Sequence, residues 1–164
     1  MTTQRHAYQP GHKPKCLVLV DDTPECDRAV HYASRWAVRA AGNVVMLRVI
    51  ETSDRNQQWL GIADLMRAEA EDEANEAIDR AAERTHTVAA LTPERAIREG
   101  DPVEQILDVI KSDIDICMIV LAAATGPEGP GPVVTALAKS AGTFPIPVVI
   151  VPGNLSDAQI TDLS

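Results

Sequence analysis

Residues Ile116 to Ala124, ICMIVLAAA, form a nine-residue run without one polar side chain. A glycine- and proline-rich segment, TGPEGPG, follows at Thr125 to Gly131. An apolar run this short, bounded by turn residues, reads as a strand buried on both faces, which is the habit of parallel sheets. Parallel strands need crossover connections, so the chain has to alternate strands with helices. A Gly-rich link from a strand's carboxyl end into a helix is also where α/β folds hold phosphate. The same link serves equally as a plain tight βα turn, and the choice depends on the remaining sequence.

The alternation is present throughout. Cys16 to Val20 (CLVLV) is the first buried strand, ending on Asp21-Asp22-Thr23-Pro24. Thr23 is expected to cap a helix that starts at Pro24, buries Ala29, Val30, Ala33, Trp36, Ala37 and Ala40, and stops at Gly42. Val44 to Ile50 is the second strand, with Arg48 its one charge, expected near an end or an exposed face. A helical stretch runs from about Gln58 to Arg84. Its inner stripe is Leu60, Leu65, Met66, Ala70, Ala74, Ala77, Ile78 and Ala81, and its outer face is densely acidic. That acidity is read as a solvated helix face rather than a catalytic cluster.

Glu94 to Arg98 is a weaker, alternating third strand, expected at an edge. Asp101 caps the next helix ahead of Pro102, and this helix is expected to bury Val103, Ile106, Leu107 and Ile110. The opening run supplies the fourth strand, Val133 to Ala141 the last long helix, and Ile146 to Val151 the fifth strand. Ser156 and Gln159 have the spacing of a capping box on a short terminal turn. Three segments result: a mobile, mildly basic extension over 1–14, one domain over 15–152, and a tail over 153–164. The expected fold is α/β, a doubly wound five-stranded parallel sheet in the order 3-2-1-4-5. Strands one and four are then neighbours, with the ligand crevice at their carboxyl ends.

Composition narrows the function. Only 3% of residues are aromatic, so the core is aliphatic, and the net charge of −9 argues against nucleic acid or an anionic membrane as partner. No apolar run approaches a membrane span, and a cytoplasmic, reducing setting is expected. Cys16 and Cys117 lie in apolar runs and read as small buried hydrophobes. The histidines His6, His12, His31 and His86 are placed away from the crevice, and no catalytic constellation converges on it.

The acidic pair after strand one would also suit a response-regulator receiver, with Mg2+ beside a phospho-accepting aspartate. That reading needs an Asp ending strand three and a Lys ending strand five. The chain has Arg98-Glu99-Gly100 and Val151-Pro152 there.

Five segments in order carry a resemblance. CLVLVDDTPECDRAV is similar to the opening strand and D-G-S-x-x-S turn of the universal stress protein family, and NVVMLRVIE to its second strand. IREGDPVEQILDVI resembles its G-x-P start of a helix, the long acidic helix falls where the family has one, and PIPVVIVP resembles its last strand. The resemblance covers Lys15 to about Pro152. It implies a stress-response or signalling module that binds ATP or AMP, with Mg2+ as an accompanying ion, and at most slow ATP hydrolysis. It also implies a homodimer through Val148 to Val151, and the alternative of a non-binding homodimeric interaction module.

Nucleotide-binding members carry G-x2-G-x9-G-[S/T] after strand four. Here Ala122 falls at the first glycine, Thr125 or Gly126 at the second, and Val134-Thr135 at the last pair, one residue short. The residues implied for the nucleotide are Val20, Asp21, Asp22, Thr23, Val49, Leu121, Ala122, Ala124, Gly126, Gly129, Val134 and Thr135. Pro127, Pro130 and Pro132 each delete an N–H, and Glu128 repels phosphate, while Gly126, Gly129 and Gly131 keep the loop permissive and Lys139 can add charge. The nucleoside half of the motif is intact and the phosphate half is rewritten.

Overall fold

A computed structural model describes residues 3–51 and 60–164, with side chains in the long helix described from residue 64 onward. The elements run β1 (Lys15–Leu19), α1 (Cys26–Ala40), β2 (Asn43–Ile50), α2 (Leu60–Ala89), β3 (Glu94–Glu99), α3 (Pro102–Ser112), β4 (Ile116–Ala123), α4 (Pro132–Ser140), β5 (Val148–Pro152) and α5 (Asp157–Leu163). The sheet order is β3-β2-β1-β4-β5 and every pairing is parallel, the expected doubly wound arrangement.

Strand alternation divides the core into two layers. On one face Cys16, Val18, Val44, Met46 and Val120 meet α1 and Ala77 and Ile78 of α2, with Ile160 of α5 joining them. On the other, Leu17, Leu47, Ile119 and Leu121 meet Ile106 and Ile110 of α3 and Leu137 of α4. The β1–β4 register slips by one residue between Lys15 and Cys16, which sets Cys117 opposite no partner. Cys117 is therefore only half-buried, its thiol turned to the Lys15 carbonyl at 3.5 Å, whereas Cys16 is fully buried.

Several boundaries move for identifiable reasons. Thr23 does not cap α1. Its N–H and hydroxyl both donate to Asp21 Oδ1, at 2.9 and 2.5 Å, so the chain first turns over Asp21 and the helix begins at Cys26. The left-handed residue after α1 is Ala41 (φ 52°) rather than Gly42. Gly42 answers a different need, since a Cβ there would lie 2.1 Å from the Pro14 carbonyl oxygen.

The inner stripe of α2 starts late. Ala74, Ala77 and Ile78 are buried, but Leu65 and Met66 are 60% and 48% exposed. A 30-residue helix is about 45 Å long, while an eight-residue strand spans about 26 Å, so the first turns of α2 outrun the sheet. The expected start at Gln58 lies outside the described residues, as does the Leu60 side chain. In α3, Val109 is buried and Leu107 is 38% exposed, because Val109 rather than Leu107 falls on the stripe of Ile106 and Ile110.

The described residues before β1 and after β5 lie against the domain. Arg5 donates to the Ile110 and Asp113 carbonyls, His12 pairs with Asp115 at 2.7 Å, and Ala7 is buried, in the segment expected to be a mobile extension. The capping box of Ser156 and Gln159 forms at the start of α5.

Candidate functional site

The carboxyl ends of β1, β2 and β4 open onto a crevice of about 450 Å³. It lies where the winding reverses between β1 and β4, the position at which open α/β sheets take ligands. Val20, Asp21, Asp22 and Thr23 reach it from the end of β1, Val49 from β2, Leu121 and Ala122 from β4, and Val134 from α4. These are eight of the twelve residues predicted from the sequence.

The other four are elsewhere. Ala124, Gly126, Gly129 and Thr135 line an adjoining hollow together with Lys139, and Gly131 and Pro132 border both recesses. The proline loop borders both recesses. Its own hydrogen bonds hold it in that form: Ala124 N–H donates to the Pro130 carbonyl at 3.1 Å, and Gly129 N–H to Gly126 at 3.2 Å. Gly131 takes φ 112°, a conformation that a side chain resists, and passes directly into Pro132 at the first turn of α4. The Thr135 hydroxyl donates to the Gly131 carbonyl at 2.8 Å, within its own helix. Three N–H groups are absent at prolines and two more are spent inside the loop, which leaves a thin cradle for phosphate.

The crevice also holds residues the sequence reading left out. Arg48 lines it, with only 14% of its side chain exposed. The guanidinium reaches from β2 to the end of β1, where Nη2 meets Asp22 Oδ2 at 2.7 Å and Nη1 lies 3.4 Å from the Val20 carbonyl. The hydrogen bond from Arg48 holds the Asp22 carboxyl below its ordinary range. A lone charge in an otherwise apolar strand was the available signal. Glu25, Glu51 and Glu73 line the wall too, so with Asp21 and Asp22 five carboxylates face one guanidinium. Cys26, at the start of α1, borders the crevice with its thiol turned to the Leu19 carbonyl, and burial pushes its pKa up to about 11. A thiol in that state is a poor nucleophile at neutral pH.

None of the four histidines borders the crevice. Among the described residues no group of three or more His, Cys, Asp or Glu is placed to hold a metal, and no helix is long and apolar enough to cross a membrane. The arrangement is a recess lined by both apolar and polar side chains, a geometry suited to holding a small ligand.

A family model described as the universal stress protein family matches residues 14–152. Among solved structures, the universal stress protein UspA from Lactobacillus plantarum is 25% identical with a TM-score of 0.70, over 84% of this chain and 97% of that one. A universal stress protein in complex with cAMP is 17% identical with a TM-score of 0.61, over 84% and 96%. The Archaeoglobus fulgidus universal stress protein in complex with dAMP is 16% identical with a TM-score of 0.56, again over 84% and 96%. None of the curated protein sequences compared matches the chain.

Proposed function

The chain belongs to the universal stress protein family, and on that premise we propose that its crevice binds an adenine nucleotide, chiefly through the nucleoside. The observation that carries the reading is the crevice itself. It has about 450 Å³ at the switch point of the sheet, within the ordinary size of a ligand pocket, with Asp21 and Val49 on its walls. Two structural neighbours hold cAMP and dAMP, both adenine nucleoside monophosphates, on the same fold. Base and ribose sit between Asp21, Val49 and the end of β4, and phosphates point toward Gly126, Gly129 and Thr135. ATP, AMP or adenosine can occupy that position, with Mg2+ accompanying ATP.

The prolines and Glu128 of the loop weaken the hold on phosphate, so affinity should depend little on phosphate number. Isothermal titration calorimetry with ATP, AMP and adenosine tests this. The three should agree within about one order of magnitude, or roughly 1.4 kcal/mol, and Asp21→Ala should weaken all three. No heat from any of them overturns the nucleotide reading. Tight binding of ATP alone, unaffected by Asp21→Ala, shows that the loop rather than the nucleoside end is the intact half.

A second reading rests on β5. Its outer edge is unpaired among the described residues, and Ile150 on it is 41% exposed. An apolar edge strand of this kind is suited to pairing with a second copy, giving a homodimeric module that acts through its surfaces. The two readings are compatible, because the crevice and the β5 edge are different surfaces.

A further inference from the structure

We propose that Arg48 is a positioning residue, holding the chain on both sides of Asp21 so that this carboxylate meets a nucleoside already in place. The inference rests on the nucleotide reading above and deepens it by naming what builds the nucleoside end of the crevice.

The turn after β1 lacks a main-chain frame of its own. Val20 N–H donates to the Leu47 carbonyl at 2.8 Å, and the next such bond runs from Cys26 N–H to the Thr23 carbonyl at 3.3 Å. Among the described residues, neither Asp21 nor Asp22 joins a hydrogen bond from main chain to main chain. Side chains supply the frame instead. Arg48 Nη1 lies 3.4 Å from the Val20 carbonyl and Nη2 donates to Asp22 Oδ2 at 2.7 Å, so one guanidinium grips the residues before and after Asp21. Thr23 fixes the carboxylate between them, its N–H and hydroxyl both donating to Asp21 Oδ1. Asp21 Oδ2 has no hydrogen-bond partner among the described residues and is the oxygen left for a ligand.

The place of Arg48 in the sheet suits this part. Strand alternation sets it with Met46 on the α1 and α2 face, opposite Leu47 and Val49, and its hydrogen-bond partners all belong to the turn. It therefore acts through the turn rather than on a ligand lying against Val49. Only 14% of its side chain is exposed, whereas Asp22 is 69% exposed and has no other hold on the domain than this pair. A planar fork grips a carbonyl and a carboxylate together, which the single ammonium of a lysine does less rigidly. The bond from Arg48 also keeps the Asp22 carboxyl below its ordinary range, so the grip lasts through mildly acid pH. A carboxylate ordered before the ligand arrives lowers the entropy cost of binding.

Two measurements decide the matter. In the ligand-free protein, exchange of the Thr23 amide, which is bonded to Asp21, should quicken at least about threefold in Arg48→Met, while the α3 amides keep their rates. Calorimetry with adenosine, AMP and ATP reads the consequence. Arg48→Met should weaken all three by the same factor, about threefold to tenfold, and Arg48→Lys should recover part of the loss. Asp22→Asn, an exposed change that spares the fold, should give a smaller loss in the same direction. In the Asp21→Ala background Arg48→Met should change nothing further, because no carboxylate is left to position. Affinities that Arg48→Met leaves unchanged, a loss confined to AMP and ATP, a loss undiminished in Asp21→Ala, or an unchanged Thr23 exchange rate each overturns this inference alone. Failure of adenosine and AMP to bind the wild type overturns the nucleotide reading, and this inference with it.

Discussion

His31 Nδ1 lies 3.0 Å from Arg84 Nη2, and because a guanidinium can only donate, the ring nitrogen accepts and the imidazole is neutral. On its other side Nε2 meets Thr161 Oγ1 of α5 at 3.1 Å. Asp157, at the start of the same helix, takes Arg28 at 2.7 Å and Arg84 at 2.9 Å. Arg28 also pairs with Asp27 and donates to the Leu155 carbonyl, and Arg39 donates to the Thr161 carbonyl. One side-chain cluster from α1 and α2 thus fastens a helix that lies beyond the region matched to the family.

This cluster makes the seating of α5 depend on pH. Burial, then the charges of Arg84 and Arg28, lowers the His31 pKa below its ordinary 6.5, and the carboxylates Asp157 and Asp27 oppose that shift only in part. With a depressed histidine pKa the unfolded chain binds more protons than the folded one just below 6.5. Stability is full above that value and falls as the pH drops through it. Asp157, held at about 2 by Arg84 and Arg28, adds stability above 3.8 that is lost toward pH 2. Hydrogen exchange of the α5 amides, corrected for intrinsic rates, should be faster at pH 5.5 than at pH 7.5. The difference should vanish in His31→Gln, and an equal rate in the wild type at both values refutes the coupling.

Gly42→Ala should destabilise the domain by about 1–3 kcal/mol, because the new methyl collides with the backbone carbonyl of Pro14, which also accepts from Asn43 N–H at 3.0 Å. Gly126→Ala meets nothing within 4 Å and should change stability by less than about 0.5 kcal/mol. Denaturant melts of the two variants beside the wild type give the comparison.

Sedimentation velocity at micromolar concentration should show a dimer, as the exposed edge of β5 leads one to expect. Val149 packs against the core layer of α1, so a charge there disturbs the fold as well as the edge. Ile150→Lys is the cleaner change and should leave a folded monomer. A wild-type monomer counts against the pairing.

Glu128→Gln should raise ATP affinity by a few-fold while adenosine stays constant, since the exposed carboxylate repels only the outer phosphates. The gain should shrink as salt is raised from 50 to about 500 mM, because exposed charges are screened. Equal gains for ATP and adenosine point to a change of loop shape instead.

The order of elements, the parallel sheet and the place of the crevice follow from local pattern: five apolar runs, the helical spacing between them, and turn residues at Asp21 and Gly126. Caps written within a few residues, such as Asp101 to Glu104 N–H and Ser156 with Gln159, were legible for the same reason. What only the tertiary structure decided involves partners distant in the chain. Thr23 has the side chain of a helix cap, yet a neighbouring aspartate claims it once β1 aims Asp21 at the crevice. Leu65 and Met66 carry the helical period, but the sheet ends before it reaches them. Arg48 reads as a solvated end of a strand until β1 is laid beside β2 and Asp22, 26 residues away, comes within 2.7 Å. The tail has a short helix signal and no sign of where it docks, because the arginines that hold it are 73 and 129 residues distant. Periodicity records which face of each element is apolar, whereas the lengths of neighbouring elements and the meeting of remote charges exist only once the sheet is assembled.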